Sequence, residues 1–249
     1  MPGRSTQSLA VMRRIFAAIA ILALLTGAGV ERRAAPHQLD EWMTYYYLDP
    51  RPDEVPEVLR EIAKQGLFNN DDAQAPLSGF FAEVFRANPD RLAEWIKPFR
   101  GVPDRHVIYS GLWMANSKQG KAALESLAKA ARADEGKRLH ALAVSVPPTL
   151  QAMSIDSPAA LDFLWGSFMA SGSEEPVLRI ISQMKRANTK GNIAETLIGG
   201  AAQWSVSANA RQHPKVLRIV TASVATSDAE TTSILKGIIA GIDREKNKK

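Results

Sequence analysis

Four histidines, His37, His106, His140 and His213, are the side chains best suited to exchange a proton or hold a metal ion near neutral pH. Their spacing favours neither role. No two stand four residues apart, and none has a glutamate placed as in a zinc-protease helix, so all four read as surface or interface residues. The chain has no cysteine, which removes thiolate nucleophiles, thiolate metal sites, disulfides and a lipoprotein cleavage motif. Trp165-Gly166-Ser167-Phe168-Met169 lacks the second glycine of a nucleophile elbow and falls inside a helical pattern. Asn69-Asn70-Asp71-Asp72 offers oxygens, but without the alternating ligands and closing glutamate of a calcium loop, so 68–75 reads as a solvated loop. No glycine-rich phosphate loop occurs. Glu174-Glu175 is explained by helix capping. The expectation is a chain with no catalytic residue, no metal and no cofactor.

Residues 157–186 show the element from which the rest is built. Ser157-Pro158 starts a helix, the serine hydroxyl serving as cap and the proline suiting the first turn. Leu161, Leu164, Trp165, Phe168 and Met169 recur at three- and four-residue spacing and share a face. Gly172 suits a left-handed helix end, and Ser173 caps a second helix with Glu174 and Glu175 in its first turn. Val177, Ile180, Ile181 and Met184 form its apolar stripe, and Lys185 and Arg186 its basic end. The link is so short that the pair must be antiparallel. One such hairpin cannot bury both its faces, so neighbours are required.

Val-Leu-Arg recurs at 58–60, 177–179 and 216–218, each time just after a proline and twelve residues after an aromatic side chain: Tyr46, Trp165 and Trp204. The 39-residue step from Val177 to Val216 is that of two-helix repeats. The predicted fold is all-α: stacked antiparallel hairpins of the HEAT or tetratricopeptide sort, or an irregular helical bundle. Further helices are expected over 38–48, 54–66, 76–99 with a break at Asn88-Pro89, 104–116, 118–132, 137–153 interrupted at Pro147-Pro148, 193–208, 215–225 and 227–244. Gly199-Gly200-Ala-Ala suits a close helix crossing. The first helix carries Trp42, Tyr45, Tyr46 and Tyr47. Either these form an aromatic binding patch, or they belong to the core with tyrosines at its rim.

The net charge of +5 is concentrated at the ends. Residues 1–33 hold five arginines against Glu31, a local +4; the remainder has 26 basic and 25 acidic residues, a net of +1. With no basic stripe interleaved with aromatics, nucleic acid is not an expected partner. Arg13-Arg14, the apolar run 15–25 and Thr-Gly-Ala-Gly have the order of a secretory leader, cut after Ala28 or Gly29. Even stretched to Val30 the run is short for a membrane span, although Arg32 and Arg33 beyond it resist translocation. Met12 is an alternative start, and the twin-arginine match is partial. The expected organisation is a signal peptide or N-terminal anchor at 1–29, a linker at 30–38, one helical domain at 39–244 and a basic tail at 245–249. The expected location is periplasmic or secreted. Inner-membrane anchoring through 15–30 is the alternative if the leader is retained.

Pro-Leu-Ser-Gly-Phe-Phe-Ala-Glu-Val-Phe-Arg-Ala-Asn-Pro (76–89), the run 157–172 and Leu-Ile-Gly-Gly-Ala-Ala-Gln-Trp-Ser (197–205) resemble a family of uncharacterised proteobacterial proteins with export signals. The resemblance spans most of the chain after residue 38 and implies an envelope location, with no activity or site residue to carry over. The sequence thus predicts an exported, non-enzymatic helical-repeat protein of the cell envelope that binds a protein or peptide, with Trp42, Tyr45, Tyr46 and Tyr47 as the candidate surface. The alternative is an enzyme or small-ligand binder whose site is assembled from scattered polar residues.

Overall fold

A computed structural model describes residues 39–102 and 105–247. The expected leader and linker, and His37, lie outside these residues. The described chain forms twelve α-helices and no strand. They are α1 (Leu39–Tyr45), α2 (Val55–Lys64), α3 (Asp71–Ala87), α4 (Leu92–Trp95), α5 (His106–Ala115), α6 (Lys118–Ala130), α7 (Ala133–Val144), α8 (Pro158–Ser171), α9 (Glu174–Ile181), α10 (Ile193–Gln212), α11 (Pro214–Ser223) and α12 (Ala229–Lys246). The fold is all-α. Among the described residues no helix is long and apolar enough to cross a membrane.

Local chemistry sets most helix ends. Gly172 closes α8 at φ +64°, a conformation that glycine alone adopts without cost, and Ser173 Oγ accepts from the Glu175 amide to open α9. Ser157 makes no side-chain cap hydrogen bond, so Pro158 alone marks the start of α8. The segment expected to be a solvated loop is largely helix. Asn70 accepts from the amides of Asp72 and Ala73, and Asp71 and Asp72 occupy the first turn of α3, where the helix dipole favours anions. Helix α7 stops at Val144, before Pro147-Pro148, so 145–157 carries no helix. At the C-terminal end α12 continues to Lys246, into the expected tail, and is capped by Asp228.

Two apolar clusters form the interior. One gathers α1 to α7 around Phe80, Phe81, Phe85, Leu92 and Ile108; the other gathers α8 to α12 around Leu164, Phe168, Val177, Ile180, Val206 and Val216. They meet where α3 crosses α8, the most extensive helix pair in the molecule. Glycines make this crossing close. A β-carbon on Gly79 would lie 1.9 Å from the Phe163 carbonyl oxygen, and one on Gly166 would lie 1.9 Å from that of Pro76. Gly199 packs in the same way against Ala187, whereas Gly200 faces open space.

The valines of the three Val-Leu-Arg segments, Val58, Val177 and Val216, are all fully buried in the second helices of hairpins. The α3–α8 crossing nevertheless joins elements far apart in sequence. In a regular solenoid each repeat touches only its neighbours, so the packing is that of an irregular bundle with hairpin repeats inside it.

Candidate functional site

The aromatic side chains of the first helix are structural anchors in this conformation. Trp42 and Tyr46 are 1% and 3% exposed, their tilted rings 4.7 Å apart centre to centre and both against Phe80. Tyr47 is half-buried, 5.0 Å from Phe168, and its hydroxyl shares a hydrogen bond of 3.2 Å with His213 Nδ1. Tyr45 is partly exposed and accepts from Gln212 Nε2. The backbone explains this dispersal. After Tyr45 the chain tightens to a 3₁₀ turn, so successive tyrosines diverge by about 120° rather than 100°, and Tyr46 enters one core while Tyr47 reaches the other.

The histidines separate in the same way. His106 and His140 are exposed, His140 facing Glu125 at 2.7 Å. His213 is completely buried among Tyr45, Tyr47 and Phe168, a core position rather than the expected surface or interface one. Burial drives its pKa down to about 4. The unfolded chain takes up its proton near 6.5 while the folded one refuses it until about 4, so His213's contribution is complete above pH 6.5 and is lost as pH falls towards 4. Against a His213→Phe variant, the wild type should lose about 3 kcal/mol across that window. Urea melts of both proteins at pH 4, 5, 6 and 7 measure this directly.

Ser167, in the rejected nucleophile motif, is fully buried and donates to Glu83 Oε1 at 2.8 Å. Glu83 also pairs with Arg86, which donates to the Met114 carbonyl at 2.7 Å. Each member already has its partners, so this cluster fastens α8 to α3 and α3 to α5 rather than offering a reactive hydroxyl.

An open cavity of about 450 Å³ lies on the other side of that crossing, between α1, α3, α8 and α10. Helical periodicity brings its walls together: Leu39, Asp40, Met43 and Thr44 from α1; Asp72, Ala73, Pro76, Leu77 and Phe80 from α3; Asp162, Trp165, Gly166 and Met169 from α8. Helix α10 adds Trp204, Ser205, Ala208, Asn209 and Gln212. Ala73 and Ala208 place methyl groups where larger side chains would fill the space. Trp204 is 48% exposed and ends an apolar stripe that runs along α10 from Ile193 through Leu197 and Gly200.

The chain matches no family model, curated protein or solved structure.

The chemistry of the site therefore rests on its own geometry. The lining is mainly apolar and aromatic, and its charged groups among the described residues are all acidic: Asp40, Asp72 and Asp162. Asp40 and Asp72 are exposed and stand at the rim, while Asp162 is mostly buried. Burial, with the Asp72 carboxylate adding repulsion, pushes the pKa of Asp162 up to about 7, and burial raises that of Asp40 too. The three carboxylates do not converge into a group able to hold a metal ion. Ser205 donates to the Ala202 carbonyl and Asn209 to that of Ser205, so both are partly engaged within α10. The indole nitrogen of Trp165 is buried without a hydrogen-bond partner.

Sequence reasoning placed Trp165 and Met169 on the buried face of α8 but did not single out Asp162. Its signal was a lone carboxylate inside Ala-Ala-Leu-Asp-Phe-Leu-Trp, at three- and seven-residue spacing from Trp165 and Met169. An isolated charge on an apolar face is costly unless it has work to do.

Proposed function

We propose that this chain is a non-enzymatic binding protein of the cell envelope that holds a small amphipathic ligand in the cavity between α1, α3, α8 and α10. One observation carries this reading: a chamber of about 450 Å³, within the usual range of ligand pockets, with largely apolar and aromatic walls interspersed with polar groups. It favours the small-ligand alternative over a peptide surface at Trp42, Tyr45, Tyr46 and Tyr47, two of which lie in the core. The envelope location is supported by the leader-like order of residues 13–29. A second reading, acid–base catalysis by Asp162, draws on a carboxyl that titrates near 7. It ranks below binding because no described side chain hydrogen-bonds Asp162 to orient it for proton transfer.

Trp165 and Trp204 line the cavity and supply a fluorescence signal. Titration with the neutral probe N-phenyl-1-naphthylamine should saturate near one equivalent. Ala208→Phe, which fills the chamber from a partly exposed position, should weaken binding at least about tenfold while leaving the melting temperature near that of wild type. Absence of binding, or equal binding by the filled variant, would overturn the reading.

A further inference from the structure

The described residues that line the cavity carry a net negative sign. Asp162 has no hydrogen-bond or ion-pair partner among the described residues. Among the described residues no lysine, arginine or histidine lines the chamber. The groups facing Asp162 across it are Asp40 from α1, Asp72 from α3, the neutral Gln65 and Asn70 before α3, and the neutral Ser205, Asn209 and Gln212 from α10. Every charge around Asp162 therefore repels a negative ligand and attracts a positive one.

We infer that the cavity takes a cationic amphiphile, an ammonium head group paired with Asp162 and carried on an apolar body that packs among the half-buried Leu39, Met43 and Met169. The inference rests on the reading of this cavity as the binding site and specifies its ligand class. Asp162 and Trp165 stand three residues apart on α8, so their β-carbons are about 5–6 Å apart on one face. That span lets one ammonium group meet the carboxylate and lie within about 6 Å of an aromatic ring, where the ring's negative face attracts it. Because Asp162 is mostly buried, the ion pair is stronger there than at the surface. The elevated pKa of Asp162 supports the same picture: burial keeps a proton on the carboxyl, and an arriving ammonium group displaces it. Affinity should accordingly rise with pH through about 7.

The test is isothermal titration of the purified protein at pH 8 with three probes on the same alkyl chain: octyltrimethylammonium, octanol and octanoate. The expected order is ammonium first, by at least about tenfold over octanol, with octanoate weakest. Asp162→Asn should bring the ammonium-to-octanol ratio to about one, and lowering the pH to 5.5 should shrink the wild-type ratio in the same direction. Octanol matching the ammonium probe, octanoate binding most tightly, or an Asp162→Asn protein that keeps the preference would overturn the inference while leaving the cavity as a binding site. If none of the three binds, the inference and the reading beneath it fall together.

Discussion

Gly166→Ala should lower the melting temperature by about 6–12 °C, while Gly200→Ala should raise it by a few degrees. Both glycines lie inside long helices, and by helix propensity alone alanine should stabilise each by about 0.5–1 kcal/mol. Their surroundings decide the sign. At Gly166 the new methyl would sit 1.9 Å from the Pro76 carbonyl oxygen and 2.9 Å from the Phe80 nitrogen, backbone atoms that cannot rotate away. Helices α3 and α8 would have to separate along the seam where the two cores meet, which costs about 3 kcal/mol or more. At Gly200 nothing lies within 4 Å, so the propensity gain survives. Differential scanning calorimetry of both variants checks the pair, and Gly79→Ala, which meets Phe163 backbone, should behave like Gly166→Ala.

Asp162→Asn should stabilise the protein at pH 8 by about 2–4 kcal/mol and have little effect at pH 4. The folded pKa of about 7 stands above the ordinary 3.8, so between these values the folded chain keeps a proton that the unfolded chain releases. The stability from this group is complete below pH 3.8 and is lost as pH rises through 7, at about 1.4 kcal/mol per pH unit, less whatever solvent access to the cavity relieves. Asparagine imitates the protonated side chain at every pH and escapes the loss. His213 has the opposite slope over an overlapping window, so the two groups partly cancel in the wild type. Asp162→Asn should therefore leave a profile that climbs between pH 4 and 6.5, and His213→Phe one that declines. Chemical denaturation across pH 4–8 separates the two.

What the sequence revealed and what it concealed follow from how local each signal is. The ends of α8 and α9 were legible because Pro158, Gly172 and Ser173 act through their own backbone. Asn70 was misread because asparagine and aspartate favour both loops and helix caps, and only the chain beyond decides between them. The run Trp42 to Tyr47 depends on a change of helical pitch at Tyr45, which shifts the periodicity by which faces are assigned. Close packing at Gly199 was readable from the Gly-Gly pair. The Gly79 and Gly166 contacts were not, since each glycine meets a backbone far away in sequence. The cavity is hidden for the same reason: Asp40, Asp72, Asp162 and Trp204 come from four helices, and no local spacing relates them.

The central claim is that Asp162 is a carboxylate placed in an apolar chamber to receive a positive charge. Its most direct test is the ionisation of that one side chain, followed by carbon-13 NMR of aspartate-labelled protein and assigned by Asp162→Asn, first alone and then saturated with octyltrimethylammonium. A titration midpoint near 7 in the free protein that drops by at least about one unit in the complex is the predicted result. A midpoint near 4 that the probe leaves unmoved would contradict the account.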